Sequence, residues 1–229
     1  MTTEPVAPAA GAVRHPRQFP ELPPRDDMNN PLFLHDQGHQ PALRLHLGNP
    51  ATTIVLSEVP VGWNHRQQSG LLKPDLLVAF NVDRAAIVAQ KGYSIDEWVK
   101  APDFVLEIAS DNNAENDYTH KRTAYAAFGV PEYWRFDHTG GQLYPASLAG
   151  DRLAEGRYEP IPIRRTDDRN YWGRSDILNL DICWEDGELR LWDPVGRRYL
   201  LTHEEEQAAR LAAEARVREL EEQIRSQDG

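Results

Sequence analysis

Cysteine is almost absent: Cys183 is the single one in 229 residues. That excludes an internal disulfide framework and a cysteine-rich zinc site. No apolar stretch approaches the roughly 20 residues that cross a bilayer, so no membrane partner is expected. The N-terminus lacks a basic-then-apolar leader, and a cytoplasmic setting is the expectation. Positive charge is also scarce, with 25 Lys and Arg against 36 Asp and Glu and a formal net charge of −11. This balance argues against a tight, nonspecific DNA binder. It leaves room for a metal-dependent site, whose carboxylates stay uncompensated until an ion is bound. From His203 onward eight acidic residues oppose four arginines, so the tail supplies −4 of the total.

What is present suits one α/β domain with a core and extensions. The six tryptophans fall between Trp63 and Trp192, which locates the packed body. Residues 1–30 are proline-rich and aperiodic, a pattern of disorder. Over 32–47, Gly38 and Pro41 break any long helix, so a short helix or a strand is expected. Ile54–Val59 reads as a strand. Pro74–Phe80 and Phe104–Ala109 are nearly continuous apolar runs, as central strands covered on both faces should be. Tyr93–Trp98 reads as a short helical or looped insertion, and Tyr118–Phe128 as a helix stopped by Gly129. Glu132–Asp137 is a further strand closed by the Thr139-Gly140-Gly141 turn. Gln142–Leu148, Arg157–Ile163, Leu178–Trp184 and Leu189–Asp193 suggest β-hairpins appended to the core, over about 142–200. Residues 201–229 form a C-terminal helix in which Ala213, Val217, Leu220 and Ile224 recur at steps of four, three and four. That seam spans under two heptads, so a docking helix, a short dimerising coil and a solvated terminal helix all stay open.

Two acids interrupt the two buried-strand runs: Asp75 in Lys73-Pro74-Asp75-Leu76-Leu77 and Glu107 in Val105-Leu106-Glu107-Ile108-Ala109. A carboxylate there is costly to desolvate unless something pairs with it. A divalent cation is the partner that best compensates two converging carboxylates. Asp117, Lys121 and Tyr125, four apart, line one helical face that can pack back over the sheet. Structural roles compete with these. Asp75 can cap a strand or pair with Lys73, Glu107 can form an ion pair with Lys121, and Asp117 can favour a helix N-terminus. Asp103 reads as a strand-start residue, Tyr125 and Cys183 as core, and the His35/His39 spacing as chance.

The ordered series Lys73-Pro74-Asp75, Pro102-Asp103-Phe104-Val105-Leu106-Glu107-Ile108-Ala109-Ser110, Asp117…Lys121…Tyr125 and Gly129-Val130-Pro131-Glu132-Tyr133-Trp134 resembles the Uma2 family of the PD-(D/E)XK restriction-endonuclease-like superfamily. The likeness runs from about Leu71 to Asp137. It implies a restriction-endonuclease-like mixed β-sheet core flanked by helices, here over residues 31–200. It also implies metal ligation by Asp75 and Glu107, with Mg²⁺ or Mn²⁺ as the ion. Ala109 stands where most of the superfamily carries lysine. In the Uma2 pattern that lysine is displaced onto the following helix, which corresponds to Lys121, and Asp117 matches an acid one turn earlier. The implied activity is metal-dependent endonucleolytic hydrolysis, with DNA as the nucleic-acid partner. The fold and the C-terminal tail together leave a homodimer open. A non-catalytic nuclease-fold assembly module is the main alternative. A two-carboxylate glycosidase is a weaker one, because it has no use for the lysine.

Overall fold

The computed structural model describes residues 18–20, 39–48, 50–67, 69–110, 114–166 and 169–227. The proline-rich segment expected to be disordered lies outside these residues apart from 18–20, and so does His35. In chain order the elements are α1 (His39–His46), β1 (Thr53–Leu56), β2 (Val61–Gly62), β3 (Leu76–Phe80), α2 (Arg84–Gln90), β4 (Tyr93–Ser94), α3 (Ile95–Trp98), β5 (Phe104–Ile108), α4 (Ala114–Tyr118) and α5 (His120–Phe128). There follow β6 (Glu132–Phe136), β7 (Leu148–Ala154), β8 (Arg157–Pro160), β9 (Ile163–Arg165), β10 (Asn170–Ser175), β11 (Leu180–Glu185), β12 (Glu188–Asp193), β13 (Arg198–Tyr199) and α6 (His203–Gln227).

The main sheet is mixed and six-stranded, in the order β1-β3-β5-β6-β7-β8. Only β5 and β6 are parallel within it; the other neighbours run antiparallel. A parallel pair needs a crossover, and α4 and α5 supply it. The apolar runs at β3 and β5 are buried at nearly every position, as central strands require.

Period-two alternation divides the side chains of this sheet between two cores. Val55, Leu76, Val78, Phe104, Leu106, Ile108, Trp134 and Phe136 belong to one, together with Leu180, Ile182, Leu189 and Leu191 of a second sheet. That sheet is antiparallel, ordered β13-β12-β11-β10-β9. The hairpins expected as appendages are therefore structural: β7 and β8 extend the main sheet, and β9–β13 cover one of its faces. Trp134 fills the space between the layers. A Cβ on Gly150 or Gly173 would lie within 2.9 or 2.7 Å of its ring, so both positions need the bare backbone. On the other face Ile54, Leu77, Ala79, Val105 and Tyr133 pack with Tyr125 and Phe128 of α5.

Several boundaries shift for local reasons. Pro41 sits in the first turn of α1, where a missing N–H costs nothing, so the helix forms despite it. The helix expected from Tyr118 is broken at Thr119 (φ −112°, ψ −81°) into α4 and α5. Gly129 ends α5 in the left-handed conformation, its N–H donating to Ala126 O at 3.0 Å. The strand expected over Gln142–Leu148 begins only at Leu148, because the Asp137 carboxylate collects the N–H groups of Thr139, Gly141, Leu143 and Tyr144 at 2.8–3.1 Å. Those donors are thereby removed from any ladder.

Candidate active site

The geometry begins at the paired ends of β3 and β5. Leu76 lies opposite Leu106, so continuing the register by one residue brings Asp75 to Glu107. Asp75 is buried, and its Oδ2 accepts the Ile108 N–H at 2.6 Å. Glu107 shares a face with Val105, so it points to the side that α5 covers rather than toward the second sheet. Its exposure is 0%. The carboxylate is held at both oxygens: Tyr125 OH donates to Oε1 at 2.7 Å, and Lys121 Nζ stands 2.9 Å from Oε2.

Lys121 also lies 2.7 Å from Asp117 Oδ1, so one buried ammonium bridges two buried carboxylates. The break at Thr119 does not disturb this contact, which spans the junction of α4 and α5. Asp117 in turn accepts from Tyr144 OH at Oδ2, and its backbone carbonyl accepts from Tyr133 OH at 2.9 Å. The structure thus brings Glu107, Asp117, Lys121 and Tyr125 into one network. Asp75 joins it through the β5 backbone.

Burial and then the charge of Glu107 push the Asp117 carboxyl up to about 6, against the pull of Lys121 and Tyr144. Burial and the same Glu107 charge raise Tyr125 and Tyr133 well above the phenol range, so both stay protonated donors. With Asp117 ionised, it and Glu107 share the Lys121 ammonium in a desolvated setting.

Beside it stands a network of opposite sign. Arg135, opposite Glu107 in the β5–β6 register, is buried and donates to Asp151 at 2.5 Å. Arg122 binds Asp151 through two contacts of 2.9 Å. The Arg135 guanidinium lies 4.3 Å from the Tyr118 ring centre and 4.9 Å from that of Tyr133.

Sequence reasoning missed Tyr144, Tyr133, Asp137 and Arg135. Tyr144 lies 27 residues from Asp117, and its delivery depends on the Asp137 turn. The Asp137 spacing ahead of Thr139-Gly140-Gly141 was a readable turn signal, but nothing local ties that turn to the site. Other candidates settle into structural contacts. Asp103 accepts the Phe80 N–H at 2.8 Å and pairs with Lys100, Lys73 pairs with Glu58 at 2.6 Å, and Cys183 is core.

Asp75 and Glu107 offer hard oxygen donors only, which suit Mg²⁺ or Mn²⁺. Mg²⁺ keeps several waters and needs just one or two carboxylates, so a pair is sufficient. No group of three or more His, Cys, Asp or Glu suited to a metal is found among the described residues. Oε1 of Glu107 faces Tyr125 and Oε2 faces Lys121, and each carboxylate oxygen has a second lone pair with which it could ligate an ion.

The profile of Uma2, described as "Putative restriction endonuclease", matches residues 41–178. The chain belongs to the Uma2 family. Asp75, Glu107, Asp117, Lys121 and Tyr144 all fall inside the matched span. This Uma2 protein is also similar to a crystal structure described as "a putative nuclease belonging to DUF820" from Anabaena variabilis. The identity there is 13% and the TM-score 0.37, over 56% of this chain and 68% of the other. No curated protein matches. Among the described residues, no helix is long and apolar enough to cross a membrane.

Proposed function

We propose that this Uma2 protein is a divalent-metal-dependent endonuclease that hydrolyses phosphodiester bonds in DNA. The observation that carries the reading is the buried cluster itself: Glu107 and Asp117 meet at Lys121, and Asp75 reaches the β5 backbone one residue beyond Glu107. Carboxylate oxygens gathered at one desolvated place are the donors that a divalent cation takes.

Asp75 and Glu107 would hold the ion. When bound, it polarises the scissile phosphate and acidifies a water. Lys121, held by Glu107 and Asp117, would stabilise charge developing on the phosphate oxygens or orient the attacking water. Tyr125 fixes the orientation of Glu107 by donating to Oε1. Asp117, with its carboxyl near 6, stands ready to exchange a proton near neutral pH. Hydrolysis adds water across one P–O bond and leaves a phosphomonoester and an alcohol. DNA as the substrate draws on the family description.

One observation favours a second reading, a non-catalytic assembly module: Glu107, Asp117 and Lys121 are all buried and contact one another. Cleavage separates the two. Supercoiled plasmid and labelled oligonucleotides are incubated with Mg²⁺, with Mn²⁺ and with EDTA, using wild type, Asp75→Asn, Glu107→Gln and Lys121→Met. The nuclease predicts metal-dependent nicking that all three variants lose. Equal cutting by wild type and Lys121→Met overturns the role of the lysine, and no cutting by pure, folded wild type with either metal favours the module.

A further inference from the structure

The helix α6 leaves the body on a fixed base and from Glu206 onward is exposed among the described residues. Thr202 and Glu205 form a capping box: Glu205 N–H donates to Thr202 Oγ1 at 3.3 Å, and Thr202 N–H donates to the Glu205 carboxylate at 2.9 Å. Arg190 of β12 clamps the same carboxylate at 2.6 Å. From Glu206 to Arg225 every residue is exposed. Val217, Leu220 and Ile224 show 54%, 41% and 60% exposure, a poor state for three large apolar side chains on one stripe.

We propose that this stripe is the interface for a second copy of the same chain, as a short parallel two-stranded coiled coil. Three features of the helix choose that partner. With Val217 and Ile224 at a positions and Leu220 at d, β-branched residues alternate with leucine, the arrangement that favours parallel dimers over larger bundles. Ala213 occupies the preceding d position, and Arg210 at the a position before it ends the apolar seam. The flanking charges agree. Arg216 falls at g and Glu221 at the following e, so a parallel partner places each Arg216 against the other chain's Glu221. An antiparallel partner would set like charges together, Arg216 against Arg216. In the single chain Arg216 rests on Glu219 at 2.5 Å, and Glu221 lies 4.0 Å from Arg225; both are exposed contacts that exchange at little cost. The pairing is independent of the nuclease reading.

Sedimentation of the full chain at rising micromolar concentration should show a species of about twice the 26.0 kDa chain mass. Leu220→Glu should abolish it while leaving the melting temperature of the body unchanged. Arg216→Glu should weaken association at least tenfold, and Arg216→Glu with Glu221→Arg should restore it. Orientation is read from Leu220→Cys under mild oxidation: only in a parallel pair do the two copies of a d residue face each other, and the native Cys183 is fully buried. A rapid intermolecular disulfide supports the proposal. A monomer at every concentration overturns it. So does a dimer indifferent to Leu220→Glu, and a dimer that fails to cross-link at position 220 rules out the parallel arrangement.

Discussion

The two faces of the main sheet are made from the same strands and do opposite things. On one, Trp134, Phe136, Leu106 and Ile108 meet the second sheet in a dry layer. Glu132, a buried carboxylate on this face, is satisfied by Ser175 Oγ at 2.6 Å and the Asp176 N–H at 2.9 Å. On the other face the alternate residues of β5 and β6 include Glu107 and Arg135 beside Val105 and Tyr133, and α5 adds Lys121 over Glu107. Alternation by two places a charge and a hydrophobe side by side in sequence and on opposite sides of the sheet. A strand that looked marred by an acid is intact on its packing face and equipped on its other one.

That contrast can be broken from either side. On the dry face, Trp134→Ala should cost about 3–5 kcal/mol in chemical denaturation by emptying the space between the layers. Per folded molecule, metal-dependent cleavage should survive. On the charged face, Lys121→Met should cost about 3 kcal/mol at neutral pH, because two buried carboxylates lose their shared cation. Cleavage should fall at least 100-fold, on the order of the loss when a charge-stabilising group is removed.

The Lys121→Met penalty has a pH signature. Asp117 already has its folded carboxyl raised to about 6 from 3.8, so between those values the folded state binds more protons than the unfolded state. Stability on this account is greatest at low pH and declines as pH rises through the window. Without Lys121 the carboxyl moves higher still. Melts at pH 5 and pH 8 should therefore show a larger deficit for Lys121→Met at pH 8, and a deficit equal at both would separate Asp117 from the lysine.

Smaller changes sharpen the same comparison. Gly173→Ala should cost about 1–3 kcal/mol by forcing a methyl against the Trp134 ring and the Ile163 side chain, with no change in metal dependence. Tyr125→Phe should cost about 1 kcal/mol, the value of one buried hydrogen bond, and should lower cleavage more than stability because Glu107 loses its orientation. A thermal shift paired with cleavage at a permissive temperature distinguishes these outcomes.

Much of the charged face was legible in sequence because its members are local to strong patterns. Asp75 and Glu107 stand out inside apolar runs, and the Asp117–Lys121–Tyr125 spacing survives even a helix break at Thr119. The dry face was less legible. The Asn170–Ser175 strand carries Asn, Gly, Arg and Ser, so no apolar run announces it, and its membership in a second sheet depends on Gly173 meeting Trp134 some forty residues away. The α2 helix announces itself only through the Asp83 cap, whose carboxylate accepts the Ala86 N–H at 3.1 Å, with a single buried residue, Ile87. Tyr144 escaped because a turn, not a periodicity, delivers it.

The account's central claim is that Asp75, Glu107 and Lys121 serve one hydrolytic centre. Its most direct test is the rate at which purified chain nicks supercoiled plasmid in Mn²⁺, comparing wild type with Glu107→Gln, a variant that keeps the shape and hydrogen-bonding capacity of the side chain. The account predicts nicking by wild type that EDTA stops, and none above background for a folded Glu107→Gln. Nicking at the wild-type rate by that variant would contradict it.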